Sequence, residues 1–143
     1  MSQSPSEPLN QLLPYNKVIS RITTEVGAQA AVASLVAAGF PENETYILHG
    51  EEGQRYIDID GSGHGFFGRL VRSYMRLQGI EKQMMDDADE ALKSGQYLVG
   101  VDVDGSEEQQ VQARDALVAH TDFNIYFCGR YTITIVASAK RYD

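Results

Sequence analysis

The chain has 143 residues, with 12 Lys+Arg against 20 Asp+Glu for a formal net charge of −8, and 43% of its residues are hydrophobic. That length and apolar content suit one folded domain with a sizeable core and exclude wholesale disorder; the acidic balance argues against nucleic-acid binding over the whole surface. The one cysteine, Cys128, excludes an internal disulfide, and no run approaches the roughly 18–20 apolar residues of a membrane span.

Residues 1–14 are polar, with Pro5, Pro8 and Pro14, and read as a flexible arm ahead of a single domain over 15–143. The opening MSQSPSEPLNQ has neither the basic nor the apolar region of a signal peptide, so a cytoplasmic location is expected. Val18, Ile19 and Ile22 form a first strand, with Lys17 and Arg21 around them. Thr23 or Thr24 then caps a helix with Glu25 in its first turn. Ala28, Ala31, Val32, Leu35 and Val36 repeat at helical spacing, and Gly39 with Phe40-Pro41 ends the run. Tyr46–Leu48 and Tyr56–Asp60 are extended, either as a hairpin or as one strand kinked at Gly53.

Residues 61–68, GSGHGFFG, form a glycine-rich hinge. Phe66, Phe67, Leu70, Val71, Tyr74 and Leu77 follow as an apolar helical stripe. A second helix covers about Glu81 to Lys93, with Met84, Met85, Ala88, Ala91 and Leu92 inward and Gly95 as its stop. Leu98, Val99, Val101 and Val103 mark a strand. Ser106 and Gln109 make a capping box for a helix running through Val111, Ala113, Ala116, Leu117 and Val118 to His120. Phe123, Ile125 and Phe127 alternate, as do Tyr131, Ile133 and Ile135. Between them Gly129-Arg130 is either a two-residue turn or a bulge in one long strand.

The two ends share an architecture. A strand at Val18, a cap at Thr24 and an extended pair from Tyr46 match a strand at Leu98, a cap at Ser106 and an extended pair from Phe123. The expected fold is therefore α+β and ferredoxin-like: duplicated strand-helix-strand units (17–60 and 96–137) form an antiparallel sheet with two helices on one face. The first and third strands are central. A helical linker (61–95) covers the open end or lies across a sheet edge.

Gly63-His64-Gly65-Phe66-Phe67-Gly68 matches G-x-G-x-x-G between an extended run and a helix, where free N–H groups would receive an anion. The acid expected after a second parallel strand is missing, since Asp86 falls in a helix, so a hinge explains the glycines better than a dinucleotide site. Arg69, Arg72 and Arg76 make a basic strip beside this loop, with Lys82 near. The strip reads first as a solvated face paired with carboxylates. It would also suit an acidic partner surface, a second copy, or an anionic membrane surface. The candidate anion or ligand site is thus Gly63, His64, Gly65, Gly68, Arg69, Arg72 and Arg76.

His64 with Asp58 or Asp60 lacks metal-ligand spacing, so no metal or other cofactor is expected. His120, at a helix end, is accounted for by the dipole or a carbonyl bond. Cys128 reads as a buried structural thiol on a face shared with Tyr126. Asp58-x-Asp60 and Asp102-x-Asp104 each run into Asp-Gly and read as solvated strand ends before turns. No nucleophile–base pattern is visible.

Two stretches, VISRITTEVGAQAAVASLVAAGFPENETYIL and GIEKQMMDDADEALKSGQYLVGVDVDGSEEQQVQARDAL, carry Gly39-Phe40, Gly79-Ile80, Gly95 and Leu98-Val99-Gly100-Val101. In these the chain resembles the bacterial heat-induced general stress proteins, small cytoplasmic proteins of unassigned biochemical role. The long Gly/Ala-rich apolar segment that such proteins often carry is replaced here by GSGHGFFG and an arginine-bearing helix. The resemblance implies no catalytic residue. The expected function is a non-enzymatic stress-associated or regulatory interaction protein that self-associates, through an exposed edge such as Tyr131–Val136 or the central helices. The alternative is a sensor of an anionic small ligand or nucleotide, or a docking site for a protein partner, at 61–76.

Overall fold

Six consecutive residues, KVISRI, are buried on both faces of the first strand, so two layers must cover it. The computed structural model describes residues 16–50, 80–129 and 133–139. In chain order they form β1 (Lys17–Ile22), α1 (Glu25–Ala37), a 3-10 turn (Glu42–Glu44), β2 (Thr45–His49), α2 (Ile80–Lys93) and β3 (Tyr97–Asp102). Then come α3 (Glu107–Leu117), a second 3-10 turn (Val118–His120), β4 (Ile125–Cys128) and β5 (Ile133–Ala137). The architecture is α+β, with a five-stranded sheet in the order β2-β3-β1-β4-β5 and every neighbouring pair antiparallel. β1 and β3 lie side by side in the interior, as expected for the two most apolar strands. A fifth strand extends the expected four.

The helices begin where the caps place them. Thr24 Oγ1 accepts from Gly27 N at 3.0 Å, and Ser106 Oγ accepts from Gln109 N at 3.2 Å. The second cap departs from the expected reciprocal box. Gln109 Oε1 takes the Asp104 N–H at 2.9 Å, and Ser106 N donates to Asp104 Oδ1 at 2.8 Å. The hydrogen bonds from Ser106 hold the exposed Asp104 carboxyl below its ordinary range. α1 stops at Gly39, whose φ of 112° suits a residue without Cβ, while Phe40 N bonds back to Leu35 O at 3.1 Å.

The period-2 alternation of the strands sends two sets of side chains to two cores. On one face Val18, Ile22, Val99, Val101, Val103 and Ile125 meet Ala28, Ala31 and Leu35 of α1 and Ala113 and Leu117 of α3. On the other, Ile19, Leu48, Leu98, Tyr126, Cys128 and Ile133 meet Met84, Ala88, Ala91 and Leu92 of α2. Each fully buried Leu or Val contributes about 1.5–3 kcal/mol. The sheet is therefore a middle layer. α1 and α3 share one face as expected, but the helix at 80–93 covers the opposite face rather than an open end or an edge. Its apolar stripe of Met84, Ala88, Ala91 and Leu92 packs on the flat apolar second face of the sheet.

Three local readings change. Cys128 pairs with Ile133, so β4 and β5 form a hairpin with four residues between them rather than two. A register shift at Ile125/Tyr126 puts a bulge in that pair. The helix expected to run to His120 ends at Leu117, and Val118–His120 continue it as a 3-10 turn with Val118 exposed. At the other end of β1, Asn16 has φ 65°; its N–H donates to Cys128 O at 2.6 Å and its carbonyl accepts from Val103 N at 2.9 Å.

Candidate functional site

β1 places Lys17, Ile19 and Arg21 on the α2 face, and β3 places Leu98, Gly100 and Asp102 there. The antiparallel register sets Lys17 opposite Asp102. Both side chains are fully buried and form a salt bridge. Burial pushes the Asp102 carboxyl above its ordinary range, against the pull of the Lys17 ammonium. Asp102 Oδ2 has no hydrogen-bond partner among the described residues. The Tyr46 ring lies against this pair. Lys17 Nζ is 5.5 Å from the ring centroid, and a Cβ on Gly100 would come within 2.5 Å of the ring's Cε2. The absence of a Cβ at Gly100 thus leaves the space that the Tyr46 ring occupies. Glu44, half-buried beside the pair, has its carboxyl raised by burial and by the charge of Asp102.

Across the register from Lys17 sits Cys128, fully buried, its Sγ 3.5 Å from Met84 Sδ. Burial pushes its thiol up to about 12. A thiol in that state is protonated and inert, as expected of a structural cysteine.

The opposite end of the same face carries a second polar group. Arg21 Nε donates to Gln96 Oε1 at 2.6 Å, its NH1 lies 3.3 Å from Glu90 Oε1, and its guanidinium stacks 4.2 Å from the Phe123 ring centroid. Tyr126 OH donates to Asp87 Oδ2 at 2.6 Å and accepts from Asn124 at 3.2 Å. Burial and the bond to Asp87 raise the phenol above its ordinary range. Thr121 Oγ1 donates to Arg21 O. A cleft of about 150 Å³ beside Arg21, lined by Thr23, His120, Thr121 and Phe123 among others, falls below the roughly 300–1,000 Å³ of pockets for organic ligands.

The remaining candidates distribute plainly. Gly63, His64, Gly65, Gly68, Arg69, Arg72 and Arg76 lie outside the described residues, as do Asp58, Asp60 and the arm at 1–14. His120 ends the second 3-10 turn, and its Nε2 is 2.8 Å from Ser34 Oγ of α1, a partner that the local sequence does not announce. Asp102 is a correction. It is a buried charge locked to Lys17, whereas only Asp104 behaves as the solvated turn residue. Sequence reading missed Lys17, Asp102 and the Arg21 group. The available signal was phase: Lys17 and Arg21 bracket Ile19, and Asp102 shares the face of Leu98 on the neighbouring central strand.

Among the described residues no group of three or more His, Cys, Asp and Glu is placed to hold a metal. No helix there is long and apolar enough to cross a membrane. Comparison with known proteins finds no matching family model, no matching curated protein and no matching solved structure.

Proposed function

We propose that the protein is a non-enzymatic cytoplasmic interaction module that associates with itself, of the stress-associated or regulatory kind implied by the resemblance at residues 18–48 and 79–117. The observation that carries this reading is the inward use of its reactive side chains. Lys17 is committed to Asp102, Tyr126 to Asp87, and Cys128 is sealed as a thiol against Met84. Groups so committed support an architecture rather than a reaction. A ferredoxin-like duplication fits this reading. It is supported by the order β2-β3-β1-β4, by the central placing of β1 and β3, and by the matched caps at Thr24 and Ser106, with β5 as an addition.

Light scattering of the purified chain at high concentration tests the reading, with a dimer or larger species as the expected result and a strict monomer as the refuting one. Thermal unfolding with a panel of nucleotides and phosphates tests the alternative. The expected result is an unchanged Tm; a rise in Tm that Arg69→Ala abolishes would favour an anion sensor at 61–76 instead.

A further inference from the structure

α3 buries Ala113 and Leu117 against the sheet and carries a mixed row on its flank. Glu107, Val111 and Arg114 follow at i, i+4 and i+7, so they line up along one side of the helix. Glu107 is exposed, and Val111 and Arg114 are half-buried. The row borders the edge strand β5, and with Gln110 and Val136 it lines an open cleft of about 130 Å³. Val136 stands where the β4–β5 register shifts, since Ile125 pairs with Ala137 and Tyr126 with Ile135. A bulged edge of five residues is a poor template for strand pairing, which leaves the helix flank as the surface on this side. The cleft is smaller than the roughly 300–1,000 Å³ of organic-ligand pockets, so a protein surface fits it better.

The two charges of the row are not served within the chain. Glu107 forms no ion pair among the described residues. Glu107 and Arg114 stand seven residues apart, about 10 Å along the axis, and do not reach each other. Arg114 spends Nε and Nη2 on one oxygen of the adjacent Asp115, in an exposed pair of little worth. The helix dipole does not account for the row, because Glu108 serves the first turn equally well from another side.

We infer that the row Glu107–Val111–Arg114 docks on the same row of a second copy, the two α3 helices running antiparallel about a two-fold axis beside Val111. The inference rests on the proposed self-association and assigns its surface. The charge pattern identifies the occupant. An acid, a central valine and a base at spacings of four and three become their own complement when turned through half a circle. Glu107 of each copy then meets Arg114 of the other, and the two Val111 side chains meet at the axis. Such reciprocal contact, i on j and j on i, is what a two-fold interface requires. Parallel pairing would set Glu107 on Glu107 and Arg114 on Arg114. A chain of net charge −8 approaches its own copy most readily where opposite charges face each other.

The test uses the full chain and reads the dimer dissociation constant by light scattering over a concentration series. Glu107→Arg and Arg114→Glu each turn two attractions into two repulsions, because the axis repeats every contact. Each is expected to raise the constant roughly tenfold or more. The double substitution Glu107→Arg/Arg114→Glu restores it. Mixing the two single variants restores it as well, since one chain then presents two bases and the other two acids. Ile47→Lys, exposed on β2 at the opposite edge of the sheet, leaves the constant unchanged. Added salt weakens the wild-type dimer by screening these pairs. Circular dichroism checks that each variant is folded. A dimer indifferent to both single reversals, or a loss that neither the double variant nor the mixture restores, overturns the docking row while leaving self-association standing. A wild-type monomer removes both.

Discussion

The two faces of the sheet solve burial in different ways. Beneath α1 and α3 the strands contribute Val18, Ile22, Val99, Val101 and Ile125, and the helices answer with Ala and Leu. Beneath α2 the centre is equally apolar, but each end carries charge: Lys17 with Asp102 at one, Arg21 with Gln96 and Glu90 at the other. An apolar face tolerates shuffling of similar volumes. A charged one fixes register, because a one-residue slip of β1 against β3 would turn Lys17 toward the α1–α3 core and leave Asp102 buried without it. Both faces thus supply bulk stability, and the charged one aligns β1 on β3.

The largest expected effect breaks the sealed end. Asp102→Asn leaves the Lys17 ammonium buried without its counter-charge and should cost about 3–5 kcal/mol, read as a lower midpoint in urea unfolding. The double substitution Lys17→Met/Asp102→Leu should recover most of that loss or exceed the parent. If the single and double variants lose the same amount, the pair is not what makes this end sensitive. Next comes Gly100→Ala, which drives a methyl into the Tyr46 ring and should cost about 1–3 kcal/mol. Tyr46→Ala in the same chain should remove the clash, so the two substitutions should couple strongly in a double-mutant cycle.

The smallest effect concerns pH. Glu44 titrates above its ordinary value in the folded chain, so the unfolded chain releases that proton first as pH rises. Its contribution is therefore neutral below both values and destabilising once pH has passed through the raised one. Glu44→Gln should raise the Tm modestly at neutral pH and leave it unchanged at about pH 4. A difference of the same size at both pH values would assign the effect to packing instead.

Periodicity made the α1–α3 face readable. The spacing of Ala28, Ala31 and Leu35, the caps at Thr24 and Ser106, and the stops at Gly39 and Gly95 are local signals, and each element sits where they point. The polar ends of the other face were not readable in the same way. Lys17 and Asp102 are 85 residues apart, and nothing near either one announces its partner. Asp102 even lies in a local pattern, Asp-x-Asp-Gly, that suits a solvated turn, and Asp104 alone fulfils it. The capping box failed in a related manner: Gln109 had a nearer donor in Asp104 N than the Ser106 N–H expected of it. The candidate ligand residues at 63–76 lie outside the described residues, so their reading still rests on pattern alone.

Asn16 has a kinetic consequence. One left-handed residue joins β3 and β4 through its own carbonyl and amide, just outside β1. The sealed ion pair begins at the next residue along. Fraying of β1 from that end cannot proceed one strand at a time, because releasing Asn16 frees Val103 and Cys128 together. Water entering past Asn16 therefore reaches Lys17 and Asp102 only when three strands part at once, which makes the exchange rate of the Val103 amide a clock for that opening.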